Sequence, residues 1–393
     1  MRRAYKFRMR PTVRQHVALA ACVEAHRELY NSALQERRGA WIHSKTRIRY
    51  ADQSAQLSEI RYKRPDLALW PFSIQQATLR RLNRAFEGFF RRVKAGGKPG
   101  YPRFKGRGRF DSVEWPEDGD GARWHPEPKR VYLQGIGHVK VTAHREVLGR
   151  IKTIQVRREG RRWMLILSCD EVPKNPLPAT GRQVGVDVGI ASVATTSDGK
   201  HVDNPRFAQG AADKLAAAQR RLSRAKRGSN NQARQRETVA ARHRKVANAR
   251  RDFHHKTARQ LIVSNDLIVV EHLAIANMIR RAKPVPDPER PGRWLPNRAA
   301  AKTGLNRSIS DAGGGQFVSI LRAKAEDAGR TWIEVDPRHT SNRCEACRFT
   351  ARENRVSQAE FVCHACGHTA QADEHAARNI LRAGLALHAA NAA

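Results

Sequence analysis

The stretch QVGVDVGIASVATTSDGKHV, residues 183–202, decides the fold. It reads as a strand, a turn at Asp198-Gly199 and a second strand, because Asp-Gly between apolar runs is a strong hairpin signal. Asp187 breaks the pattern. It stands in the middle of an apolar strand, where an unpaired carboxylate is costly to bury, and a bound cation is the simpler explanation for it.

Downstream the pattern alternates between helix and strand. Residues 211–262 read as a long helical stretch interrupted at GSNN (228–231), giving an antiparallel pair of arms in which basic residues outnumber acidic ones. DLIVVE (266–271) is a short apolar strand ending on Glu271, the pattern of a central buried strand. A proline-rich loop is expected over 282–304, a helix over 311–329, a strand over 331–335 and a closing helix over 373–389 that Asp373 opens. Asp187, Glu271 and Asp373 thus follow one another in an RNase H-like order. Phosphodiester hydrolysis is served by two divalent cations about 4 Å apart, and clustered carboxylate oxygens suit Mg2+. Taken singly, each acid has a plainer reading: Asp187 a bend residue between Gly185 and Gly189, Glu271 a strand-end carboxylate, Asp373 a helix N-cap.

Upstream, residues 3–9 form a short strand, and Thr12 with Gln15 makes a capping box that opens a helical region reaching about residue 94. Ile74, Thr78, Leu82, Phe86, Phe89 and Phe90 lie on one stripe of that region, with arginines around its other faces. Residues 95–110 mix Gly, Pro, basic and aromatic residues and read as a loop, with Arg103 and Lys105 as candidate backbone contacts. Residues 130–170 switch to period two, the mark of an antiparallel sheet or small barrel. Pro173, Pro176 and Pro178 then form a stiff linker to a new domain beginning near residue 180.

Charge sets the partner. Lys and Arg number 74 against 37 Asp and Glu, a formal net charge of +37 over 393 residues. Self-repulsion on that scale destabilises a compact chain unless a polyanion neutralises it. On the second helical arm, Arg244, Lys245, Arg250, Arg251 and Lys256 are candidates to face a nucleic-acid backbone. No apolar run reaches the ~18 residues a membrane span needs, and the basic N-terminus has no apolar core behind it. The expected location is therefore the cytoplasm, at the nucleoid.

Cys344-x2-Cys347 and Cys363-x2-Cys366 present two knuckles of two thiolates each, enough to close a tetrahedron around structural Zn2+. His364 and His368 are read as spectators, and Cys22 and Cys169 as ordinary buried thiols.

VGVDVGIASVATTSDG, RDFHHKTARQLI (251–262), IVVEHLAIANM (268–278), HTSNRC-EAC (339–347), CHACGH (363–368) and DEHAARNIL (373–381) resemble, in order and spacing, the landmarks of TnpB, the OrfB-type transposon protein. YKFRMRPT (5–12), Leu29-Tyr30-Asn31 and YPRFKGR (101–107) carry the likeness across nearly the whole chain. The resemblance implies a multidomain α/β plus β architecture. Residues 1–10 and 95–178 would form a wedge β-barrel, with 11–94 inserted as a helical recognition lobe. Residues 180–337 and 371–388 would form a RuvC-like nuclease, interrupted by a zinc ribbon at 338–370, and 389–393 would be a tail. It also implies an RNA-guided DNA endonuclease, one protein per guide RNA, that reads a short motif beside a double-stranded DNA target. Asp187, Glu271 and Asp373 would be the catalytic acids holding two Mg2+ ions. Miniature type V CRISPR effectors share that core, and non-cleaving RNA-guided repressors lack an acid. Two departures stand out: His375 where an Asn is usual, and Gly313-Gly314-Gly315 where an aromatic is often found.

Overall fold

The computed structural model describes residues 1–392, in two compact units divided between Pro173 and Lys174. The first unit begins with β1 (Arg3–Arg10), in which Tyr5, Phe7 and Met9 alternate inward and the residues between them stay at the surface. The capping box at Thr12 and Gln15 then starts α1 (Val13–Ser44), which ends at Lys45 in left-handed conformation. Three short helices follow: α2 (Tyr50–Ala55), α3 (Leu57–Lys63) and α4 (Pro65–Ala68). The stripe read from the sequence becomes α5 (Phe72–Lys94), with Ile74, Thr78, Leu82 and Phe86 buried. Residues 45–49 interrupt the expected continuous helical stretch, so the region is a bundle rather than a rod.

The rest of this unit is strand: β2 (Ser112–Trp115), β3 (Ala122–His125), β4 (Arg130–Leu133), β5 (Gly137–Thr142), β6 (Arg150–Glu159) and β7 (Arg162–Asp170). With β1 they build one antiparallel sheet in the order β2-β6-β7-β1-β5-β4-β3. Strand formation begins at Ser112, ahead of the expected 130, because a four-residue strand is too short for its period to be read alone. Cys22 and Cys169 are buried thiols, 1% and 3% exposed.

The second unit is organised by a mixed five-stranded sheet. The strand expected before the Asp198-Gly199 turn is corrected to two: β8 (Gln183–Asp187) and β9 (Ser192–Thr196) pair antiparallel across residues 188–191. The Asp198-Gly199 turn joins β9 to β10 (His201–Asp203), so Asp187 ends a strand rather than standing in its middle. α6 (Phe207–Gly210), α7 (Ala212–Arg224) and α8 (Asn230–Ser264) follow, with the break at residues 225–229. β11 (Leu267–Glu271) then pairs parallel with β8. Residues 275–327 hold α9 (Ile275–Met278), a two-residue ladder of β12 (Val285–Pro286) on β13 (Trp294–Leu295), α10 (Ala299–Ala312) and α11 (Gly314–Asp327). The expected single helix over 311–329 is thus corrected to two, separated at Gly313, whose φ of +67° a side-chain-bearing residue adopts only with strain. β14 (Thr331–Val335) pairs parallel with β11 and completes the order β10-β9-β8-β11-β14.

β15 (Glu360–Val362) and β16 (Thr369–Gln371) form a small hairpin before α12 (Ala372–Ala392). α12 lies tightly on the sheet: a Cβ at Gly185 would stand 2.2 Å from the Ala377 carbonyl oxygen, and one at Gly384 would stand 2.4 Å from Val269. That close approach sets the N-terminus of α12 beside the ends of β8 and β11. The expected tail from residue 389 continues the helix to Ala392, and Ala393 lies outside the described residues. Among the described residues, no helix is long and apolar enough to cross a membrane.

Candidate metal-binding active site

Each of the three sequence-selected acids ends or begins an element. Asp187 closes β8 and Glu271 closes β11; because the strands run parallel with Val186 opposite Val270, both carboxylates emerge at the same sheet edge. Asp373 is in the first turn of α12. The electrostatics tie the three together. Burial, then the charges of Glu271 and Asp373, push the Asp187 carboxyl up to about 7, against the pull of Arg355. Burial also raises Glu271, eased by Thr340 and Arg355.

Thr340 and Arg355 were not singled out by the sequence as functional. The Thr340 hydroxyl sits between the Glu271 carboxylate, to which it donates, and the Pro337 carbonyl oxygen at 3.0 Å. Arg355 donates from Nη2 to Asp373 Oδ1 at 2.8 Å. Thr340 lay in view within HTSNRC; Arg355 sits in the irregular segment between the two cysteine pairs, where no period marks it. Three acids with one guanidinium among them leave a site short of positive charge, which fits a divalent cation held by oxygen donors.

The four cysteines converge. Among the described residues, Cys344, Cys347, Cys363 and Cys366 form the one group of three or more metal-type ligands whose donor atoms all lie within 4.8 Å of one another. Their knuckles repeat a single turn: the Arg348 N–H donates to the Cys344 carbonyl and the Gly367 N–H to the Cys363 carbonyl, and both donors have φ near +70°. Four sulfurs at this spacing fit a closed, structural Zn2+ site. His364 and His368 turn to the Glu353 carbonyl and the Glu345 carboxylate instead.

His375, where the family usually has Asn and two positions past Asp373, reads from the sequence as a neighbour of the acids that could tune activity or bind phosphate. The structure corrects that reading. Its ring is fully buried and stacks on Phe361 at 3.7 Å between centroids, while Nε2 accepts the Glu345 N–H at 3.2 Å. One turn on, Arg378 Nε donates to the Glu345 carboxylate at 2.9 Å, and Arg382 Nη1 to its carbonyl at the same distance. Asn379 bridges the Thr340 and Arg343 carbonyls. One face of α12 therefore grips the first cysteine knuckle, and its first turn presents Asp373.

The basic candidates are spread over both units. Arg103, Lys245, Arg251 and Lys256 are exposed and Arg244 is half-buried. Lys105 is half-buried over the Tyr30 ring, Nζ 5.6 Å from its centroid, and Lys256 pairs with Asp252 at 2.7 Å. Arg250 is structural: its guanidinium holds the Ser310 and Asp311 carbonyls at the end of α10.

The family model described as "Probable transposase" (OrfB_IS605) matches residues 166–282, and "Cas12f1-like, TNB domain" matches 315–380. A third, "Helix-turn-helix domain", matches 1–46, where this chain has a strand and one 32-residue helix. "Putative RNA-guided DNA endonuclease InsQ" of Escherichia coli K12 is 34% identical over 388 residues, covering 98% of this chain and 92% of that protein. A Streptomyces pristinaespiralis protein, "Putative RNA-guided DNA endonuclease", is 31% identical, covering 99% and 91%. Among solved structures, the Cas12f1–sgRNA–target DNA complex shares the fold at a TM-score of 0.51 and 14% identity, covering 93% of this chain and 82% of that one. On full-length identity above 30%, the chain belongs to the TnpB family, the OrfB-type proteins of IS605 transposons.

Proposed function

We propose that this chain is an RNA-guided DNA endonuclease that hydrolyses phosphodiester bonds at a single RuvC-like, Mg2+-dependent site. The observation that carries the reading is the placement of Asp187 and Glu271 at adjacent parallel strand ends with Asp373 in the first turn of α12, where burial and then the charges of Glu271 and Asp373 lift Asp187 to about 7. The sheet order, three antiparallel strands followed by two parallel ones, supports an RNase H/RuvC-like core over 180–337 and 371–388, with the zinc ribbon at 338–370. The seven-stranded sheet and the helices inserted after β1 support a wedge half-barrel with a recognition lobe at 11–94.

When bound, paired Mg2+ ions would supply an activated water and a hold on the leaving oxygen. Asp187, Glu271 and Asp373 would hold them. Thr340 fixes the rotamer of Glu271, and Arg355 is placed to neutralise charge on a scissile phosphate near Asp373. The net charge of +37 suits a protein that grips the backbones of a guide RNA and a double-stranded DNA target while base pairing reads sequence. The relatives' names and the structural neighbour's bound sgRNA and target DNA support the same partners. One protein per RNA, acting in the cytoplasm, completes the reading. All three acids are present, which favours cleavage over a non-cutting repressor. A CRISPR effector role differs by guide source, and the 53% identity over 57 residues to a Cas12f1 of Sulfoacidibacillus thermotolerans covers 14% of this chain alone.

The test is a plasmid library carrying a guide-matched target beside randomised sequence, incubated with protein co-expressed with its flanking genomic RNA. Mg2+-dependent, guide-dependent cuts beside one short motif are expected; guide-dependent binding without cuts would replace nuclease with repressor.

Thr340→Val keeps the side-chain shape and removes the hydroxyl. Losing a hydrogen bond to a charged group costs about 1.5–3 kcal/mol, so kcat should fall roughly tenfold or more with DNA affinity unchanged. Thr340→Ser should restore most of the rate. Equal single-turnover rates for wild type and Thr340→Val would remove this hydroxyl from the machinery.

A further inference from the structure

The helical part of the first unit holds a cavity of about 960 Å3 between the C-terminal halves of α1 and α5 and the 45–51 segment. Its walls are aromatic, and the rings are left partly uncovered. Trp41 is 57% exposed, Phe90 48% and Tyr101 43%. Tyr101 stands edge-on to Phe86 and Phe89, at 5.5 and 5.3 Å between centroids, so its position is fixed by a packed aromatic cluster. Cations cap the same rings: Arg47 lies 5.6 Å from the Phe90 centroid and Lys45 5.9 Å from that of Trp41. Deeper in the wall, Arg37 is 7% exposed, 5.1 Å from the Phe86 centroid, and one of its terminal nitrogens, Nη2, has no hydrogen-bond partner.

Exposed aromatics on a soluble surface are costly unless something covers them, and the guanidiniums around these rings select what that is. A second copy of this chain would bring another +37 of charge to an arginine-rimmed opening, which works against self-association. Flat rings beside guanidiniums match a nucleobase and its flanking phosphate, the pairing by which single-stranded nucleic acid is held without reading its sequence. The Asn83 amide is already committed, donating to Glu87 and accepting from Arg37, so it is not free to read a base edge.

We propose that this cavity holds an unstacked nucleobase from a single-stranded segment of RNA, stacked on Trp41, Phe90 and Tyr101 with its phosphate against Arg47 and Arg49. This rests on the guide-RNA reading above and adds a definite site to it. The occupant is a splayed loop or end rather than a duplex, because only an unpaired base leaves the stack.

The probe is a 20-mer RNA carrying 4-thiouridine, photo-cross-linked to the full chain and mapped by mass spectrometry, with a 4-thiothymidine DNA 20-mer in parallel. Cross-links to peptides containing Trp41, Phe90 or Tyr101 are expected with RNA. Trp41→Ala, at the more exposed position, and Tyr101→Ala, with its fold checked by melting midpoint because Tyr101 packs on Phe86, should each weaken binding of the same RNA roughly five- to a hundredfold. RNA cross-links confined to other peptides, with unchanged affinity in both variants, would overturn the proposal. Stronger labelling by DNA would reassign the pocket to a displaced DNA strand. A wild-type dimer that Trp41→Ala turns into a monomer would reassign it to a second copy. Whether guide RNA co-purifies with wild-type protein is scored separately: its absence would sink the guide-RNA reading, while its presence without pocket cross-links would sink this site alone.

Discussion

Asp187→Asn should abolish DNA cleavage and, in Mg2+-free buffer, should make the protein more stable. Both effects come from one environment. On the proposed reading the carboxylate is a metal ligand, and removing it should forfeit several kcal/mol of charge stabilisation in the transition state, a loss of at least roughly 10^3-fold in rate. Without metal, the same carboxylate is buried beside Glu271 and Asp373, and its proton is held up to about pH 7. The sign of the stability effect follows from the folded value lying above the unfolded one, which is about 4. Below pH about 4 both states carry the proton and the substitution changes little. Between about 4 and 7 the unfolded chain ionises while the folded carboxyl does not, so the penalty on folding grows; above 7 it is complete. At pH 8, asparagine should therefore raise the melting midpoint by several degrees, and the gain should shrink towards zero at pH 4. Scanning calorimetry at both pH values, with nuclease assays alongside, measures this. A variant that loses activity and stability together would mean Asp187 braces the fold rather than binding metal.

The elements around Asp187 were legible because each carries its own period or punctuation. Asp198-Gly199 announces the hairpin, LIVVE a buried strand, and the spacing within each CxxC pair its knuckle. Local pattern also gave the order of the acids along the chain. It could not give Arg355, whose partner Asp373 is brought beside it by the fold of the β15–β16 hairpin and not by any repeat. Nor could it place the His375 ring: a histidine two positions past an aspartate looks like site chemistry until Phe361 claims its face and the Glu345 amide its Nε2. The start of α10 at Ala299 was hidden for a different reason. The prolines before it advertise loop, and the helix begins as soon as they end.

Removing zinc should silence the nuclease as completely as losing a catalytic acid, although no cysteine touches the acids. The ribbon delivers two of the side chains that contact them: Thr340, four residues before Cys344, and Arg355, between the knuckles. It also anchors α12 through Glu345, which lies inside the first knuckle and meets His375, Arg378 and Arg382. A segment this small, with Phe361 its one fully buried large side chain, has little core of its own. Metal binding in such modules is worth roughly 10–16 kcal/mol of folding free energy, so its loss melts the ribbon outright. Cys344→Ser with Cys363→Ser, or treatment with a strong zinc chelator, should lower cleavage by at least roughly 100-fold. Added Mg2+ alone should not restore it, whereas Zn2+ followed by Mg2+ should rescue the chelated wild type and not the double variant. RNA binding by the first unit should persist throughout, since its core residues all lie before Pro173. Zinc content read beside cleavage decides the matter: a chain stripped of zinc that still cuts at the wild-type rate would show that α12 holds Asp373 in place unaided, and the ribbon would be left with a task outside the active site.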